Sequence, residues 1–216
     1  MEQVPDLIIS DVMMPKKDGF EVCATLKADQ RTSHIPIVLL TAKADIDSKI
    51  TGLKGGADAY LTKPFNEEEL VTRLEKLHDL RLALQAQYSS SAYSVLSKKK
   101  SKSRTVDDEF ILKLRSVVEA NLDNENFGIP ELCRAVHMSR TQLHYKIKAL
   151  TNRPTSHYIR WIRLHKAQEL LSEGKFNISQ IVMEVGFKSR SYFTVEFKRE
   201  FGVTPKDFRK TQSGTS

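Results

Sequence analysis

Residues 132–150 read LCRAVHMSRTQLHYKIKAL, and their spacing predicts two helices either side of a tight turn. Ile129, Leu132 and Val136 share one helical face ahead of His137-Met138. Ser139 is a good N-cap, and Leu143, Ile147 and Leu150 then recur at i, i+4 and i+7. About fifty residues later the pattern returns. Ile178, Ile181, Val182 and Val185 form the first apolar face, Gly186-Phe187-Lys188 turns the chain, Ser189 caps, and Phe193, Phe197 and Phe201 repeat at steps of four. Val136 to Leu143 is seven steps and Val185 to Phe193 is eight, so the second copy is one residue longer. It is an internal duplication in pattern.

Burying the apolar faces fixes what the opposite faces show. The first shows Arg140, Thr141, His144, Tyr145 and Lys148, and the second Arg190, Ser191, Thr194, Val195 and Lys198. Basic, hydroxyl and methyl groups suit phosphates and base edges. Any one of these residues is equally at home on an ordinary solvated helix; the two faces together, on a basic domain, favour double-stranded DNA. Between the units, Ser156 to Ser172 reads as a long helix containing Tyr158, Ile159, Ile162, Ala167, Leu170 and Leu171, with Gly174 just past its end. Seventeen residues span roughly 26 Å, enough to hold two reading helices near one duplex turn apart, about 34 Å. Farther out, Gly202 ends a helix, Thr204 caps the next and Pro205 takes its first turn.

The quoted stretch, with HYIRWIRLHKAQELL and ISQIVMEVGFKSRSYFTVEFKREFGVTPKDFRK, resembles the AraC family of transcription regulators over residues 106–210. The resemblance implies an all-α double helix-turn-helix DNA-binding domain, here 106–212. It puts Arg140, Thr141, His144 and Tyr145, then Arg190, Ser191, Thr194 and Val195, nearest the bases, and makes Trp161 core packing.

The amino-terminal half has a different grammar. Leu7-Ile8-Ile9, Ile37 to Leu40 and Ala59-Tyr60-Leu61 are short continuous apolar runs, separated by helical stretches at Phe20–Ala28 and Asp45–Lys54. Gly55-Gly56 stops the second stretch, and Asn66 caps a further helix to about His78, with three glutamates in its first turn. This is βαβαβα, with strands expected to be buried on both faces of a parallel sheet. The three strands end at Asp11, Thr41 and Lys63. Chemistry gathers at such ends, and an acid, a hydroxyl and an ammonium there suit phosphoryl transfer to a carboxylate. Residues 79–87 are read as prolonging the last helix; 81–105 form the linker, Ser/Lys-rich and flexible from Ser89 to Arg104.

PDLIISDVMMPKKDGFE, IPIVLLTA and GADAYLTKPF resemble the response-regulator receiver family, a flavodoxin-like α/β fold, over residues 4 to about 80. By that resemblance Asp11 is the phosphoacceptor, Thr41 the switch hydroxyl, Tyr60 the switch aromatic and Lys63 the phosphoryl contact. The Lys63-Pro64 bond is expected to be cis, and Met14-Pro15 and Gly19 shape the loop after the acceptor. The family's metal is Mg2+, with Asp11 and the Met13 backbone carbonyl among its ligands. The reading departs from the family at the start: residues 1–80 supply a partial receiver lacking the first two strands and the acidic pair that completes the metal site. The expectation is a piece of a longer protein, binding no Mg2+ by itself, poorly phosphorylated and exposing sheet edge. A receiver ahead of an AraC-type module resembles the output end of two-component regulators and of hybrid sensor kinases.

Charge supports the division. Residues 1–88 carry 11 Lys+Arg against 14 Asp+Glu, and residues 89–216 carry 23 against 13. Such asymmetry points to a polyanion partner for the basic half. The longest apolar run, Ile35 to Leu40, is too short to span a bilayer, so no membrane contact is expected. Cys23 and Cys133 have no CxxC partner and read as buried free thiols of a cytoplasmic protein. An enzyme, such as a phosphatase using Asp11, is disfavoured: Met13 stands where a second acid would, Gly55-Gly56 lacks the following Lys-Ser/Thr of a phosphate loop, and the six histidines show no metal spacing. The reading is therefore a transcription regulator controlled by phosphorelay from a histidine kinase domain, homodimeric on DNA. The alternative is a constitutive DNA-binding fragment with an inert receiver remnant.

Overall fold

A computed structural model describes residues 4–42, 56–89 and 104–213. The chain packs as two compact units, residues 1–112 with 141–152, and residues 113–140 with 153–216.

The first unit is built on a parallel sheet in the order β1 (Ile8–Asp11), β2 (Ile37–Thr41), β3 (Ala59–Thr62). The period of two along β2 divides the packing. Ile37 and Leu39 join Val12, Cys23 and Ala57, with Phe20 and Leu26 of helix α1 (Gly19–Ala28) against them. Val38 joins Leu61 and Leu77, with Leu70 and Leu74 of helix α2 (Glu67–Ser89) against them. Helices thus cover both faces of β2, as its continuous apolar run requires. Burial on both faces does not extend to the outer strands: Ile9 of β1 is 46% exposed, because a side chain on a strand is buried only where something covers its face. Asp18 caps α1 through the Glu21 amide, and Asn66 starts α2 by accepting from the Glu69 amide at 2.7 Å. Helix α2 continues without a break to Ser89, well past His78. The expected helix at 45–54 and the linker segment 90–103 lie outside the described residues.

From Val106 onward the described residues are helical: α3 (Val106–Glu119), α4 (Ile129–Val136), α5 (Arg140–Thr151), α6 (Thr155–Glu173), α7 (Ile178–Glu184), α8 (Arg190–Phe201) and α9 (Pro205–Ser213). The second unit is held by Leu164, Ala167 and Leu171 of α6 against Ile181, Val182, Val185 and Phe187, closed by Phe193 and Phe197 of α8. Phe197 meets Phe201 at 4.5 Å and Phe208 of α9 at 5.9 Å between ring centroids. Trp161 is buried as core. Asn177 and Gln180 form a capping box on α7, Ser189 caps α8, and Thr204 accepts from the Asp207 amide with Pro205 in the first turn of α9. The turn between α7 and α8 depends on Gly186. Its φ is +64°, and an added Cβ would run into the Leu122 carbonyl, while Arg163 donates to the Gly186 carbonyl at 2.9 Å and the Asn124 carbonyl at 2.8 Å.

Candidate functional site

At the carboxyl end of the sheet, two of the three strand-end residues bond directly: Lys63 Nζ lies 2.5 Å from Asp11 Oδ2. The local fold explains why. Asp11 pairs in register with Leu40, Thr41 with Thr62, and the Lys63 amide donates to the Thr41 carbonyl at 2.7 Å, so β2 sets the height of both neighbours. The Lys63–Pro64 peptide is cis. Gly19 packs so closely on the backbone of Asp11 and Val12 that a Cβ there would clash with the Asp11 carbonyl. The loop from Asp11 to α1 therefore returns tightly to the acid, and the Gly19 amide donates to the Val12 carbonyl at 2.9 Å. About a third of the Asp11 side chain, 36%, is exposed, leaving it open to a reactant. The Lys63 hydrogen bond, then the Met13 amide at 3.2 Å from Oδ1, hold its carboxyl below the ordinary range.

Thr41 is buried at the end of β2. Tyr60 packs against the Val12, Cys23 and Ile37 cluster; its hydroxyl is buried with no hydrogen-bond partner among the described residues, and burial pushes the phenol up. The bond between Asp11 and Met13 runs from the Met13 amide. Among the described residues, no three acidic, histidine or cysteine side chains gather to hold a metal ion. Asp11 and a Met13 carbonyl would supply two oxygens toward the six that Mg2+ prefers, a partial donor set. Cys23 is buried, whereas Cys133 is only half-buried, which corrects the expectation of two buried thiols; burial raises the pKa of both.

The two helix faces expected to meet DNA are largely exposed. On α5, Arg140, Thr141, His144, Tyr145 and Lys148 are exposed, with the His144 and Tyr145 rings edge-on at 5.8 Å. On α8, Arg190, Ser191 and Lys198 are exposed, Val195 is 63% exposed, and Thr194 is half-buried, its hydroxyl donating to the Arg190 carbonyl at 2.9 Å. Tyr192, absent from the sequence reading, is half exposed beside that face and takes a hydrogen bond from Arg160 at 2.6 Å. Lys146 was missed too. It is fully buried, although its position one turn from Leu143 and Leu150 placed a lysine on an apolar stripe.

Residues 1–75 match the family model of the response regulator receiver domain, and residues 132–211 match that of a helix-turn-helix domain. The chain joins a response-regulator receiver to an AraC-type helix-turn-helix domain. Both domains recur together in a relative, histidine kinase P4 of Formosa agariphila, 40% identical over 98% of this chain and 15% of that protein. The receiver part is 53% identical to the DNA-binding dual master transcriptional regulator RpaA of a Synechocystis strain, over 34% of this chain and 30% of that protein. The AraC-type part is similar to the solved structure of a transcriptional regulator of Chromobacterium violaceum, described as having an AraC-type DNA-binding domain, at 29% identity, 47% of this chain, 89% of that one and a TM-score of 0.44. The chain thus spans under a third of the length of the two curated relatives. Receiver domains of response regulators typically use Mg2+. No described helix is long and apolar enough to cross a membrane.

Proposed function

We propose that this protein is a sequence-specific DNA-binding transcription regulator of a two-component phosphorelay. The observation that carries the reading is the Lys63–Asp11 bond at the open end of a parallel sheet, in one chain with two exposed basic helix faces. The Asp11 carboxylate, kept ionised by Lys63, is the nucleophile. One of its oxygens attacks the phosphorus of a phosphohistidine on a histidine kinase domain. The O–P bond forms as the N–P bond breaks, and the electron pair returns to the imidazole. Lys63 offsets the charge that arrives. Thr41 and Tyr60 then respond to the phosphoryl group and alter how receivers pair, and a homodimer gains effective concentration on tandem sites. Arg140, Thr141, His144 and Tyr145, with Arg190, Ser191, Thr194 and Val195, read bases, while Lys148 and Lys198 hold phosphates.

Replacing Asp11 with Ala in the intact protein is expected to abolish signal-dependent regulation while leaving DNA binding in place. Normal regulation in that variant would rule out phosphorelay control. A second reading is constitutive DNA binding with an inert receiver; its one support is the partial metal donor set among the described residues. It requires that Asp11 take no label from a phosphorylated kinase domain and that wild type and Asp11→Ala bind DNA equally under all conditions.

A further inference from the structure

Lys146 lies on α5, one of the two reading helices, yet none of its side chain is exposed. A buried ammonium is costly unless it is paired and every donor is used. Here its three donors meet three acceptors: the Gln30 carbonyl at 2.5 Å, Ser33 Oγ at 2.7 Å and Asp107 Oδ1 at 2.7 Å. Ser33 in turn donates to Asp107 Oδ1 at 2.7 Å, closing a triangle, and the Phe110 ring lies 4.6 Å from Nζ. Gln30 and Ser33 belong to the receiver, in the loop between α1 and β2.

The same helix is held a second time at its end. The last carbonyls of a helix have no partner within it. Gln85 of α2 donates to the Ala149 carbonyl at 2.9 Å, and Ser89 of α2 donates to the Thr151 carbonyl at 2.6 Å. The loop before β2, the end of α2 and the start of α3 together form a polar seat for α5 within the first unit. The other reading helix is carried differently. With Leu143 matched to Phe193 and Ile147 to Phe197, Lys146 corresponds to Glu196, which pairs with Arg160 of α6 at 2.9 Å inside the second unit.

We propose that Lys146 is a positioning residue that seats the first reading helix on the receiver, so that reading of one half-site depends on receiver residues and reading of the other does not. This rests on the DNA-regulator reading above. It gives Lys146 a role distinct from Lys148 two residues on, whose side chain is exposed.

The test uses the full chain on its selected operator, with the α5 half-site assigned by the loss of base preference in His144→Ala. Lys146→Met keeps most of the volume and removes the charge. It is expected to weaken the full operator at least tenfold, to erase discrimination at the α5 half-site, and to leave discrimination at the α8 half-site and the salt dependence unchanged. Ser33→Ala, a substitution within the receiver, is expected to give the same one-sided pattern at a few-fold loss; it decides the matter if Lys146→Met does not fold. Equal loss at both half-sites, or no loss of discrimination from Ser33→Ala, overturns the proposal. So does a reduced salt dependence with discrimination intact, the mark of a direct phosphate contact. Failure of wild type to select any sequence would be a separate result, defeating the regulator reading itself.

Discussion

Asp11 and His34 show how one unit treats two titratable groups in opposite ways. Asp11 is about a third exposed and its pKa is lowered chiefly by Lys63. A carboxyl lowered in this way keeps its ion pair above the ordinary carboxyl range and loses it as pH falls through the lowered value. Lys63→Ala is therefore expected to move Asp11 titration back up toward an ordinary aspartate, read by carbon-detected NMR; an unchanged midpoint would mean that the bond does not hold the acid ionised. His34 has its Nδ1 buried without a hydrogen-bond partner among the described residues, and burial, then Lys146, push its pKa down from 6.5 to about 4. Between those values the unfolded chain takes a proton that the folded one refuses, so stability falls as the solution is acidified, by up to about 1.4 kcal/mol per pH unit. Urea unfolding across that window should show a shallower slope for His34→Gln than for wild type; equal slopes would mean that other groups set the acid sensitivity.

The helices depend on their ends as much as on their faces. Gly186→Ala forces an alanine into left-handed φ and into the Leu122 carbonyl, whereas Gly174→Ala, at φ +72° with nothing within 4 Å of the added Cβ, bears the backbone strain alone. That strain is about 1–2 kcal/mol. Gly186→Ala should lower Tm by several degrees more than Gly174→Ala in thermal unfolding, and equal losses would mean that the turn relaxes freely. Both helix-turn-helix units were legible because their apolar periods and caps are local. The strand ends at Asp11, Thr41 and Lys63 were legible because short apolar runs stop sharply there. The exposure of Ile9 was not, since burial depends on what lies over a strand rather than on its own residues. Nor was the fate of Lys146, whose acceptors at Gln30 and Ser33 lie more than a hundred residues away. Periodicity marks Lys146 as misplaced but cannot supply its partners.

Across the whole chain, charge and chemistry are divided. The receiver half is mildly acidic and the remainder strongly basic, so nonspecific attraction to DNA is expected from the basic half whatever else it does. Grip and reading must therefore be separated. Phosphate contacts weaken steeply with salt and are indifferent to sequence, whereas the base contacts proposed for the exposed side chains Arg140, His144, Arg190 and Val195 would depend on the bases they meet. The most direct test is selection by the full chain from a randomised duplex pool at two salt concentrations. Two short preferred blocks about one helical turn apart, retained at the higher salt, are the expected result. No enriched sequence, with binding collapsing as salt rises, would show that the basic half only grips phosphate and would contradict the account.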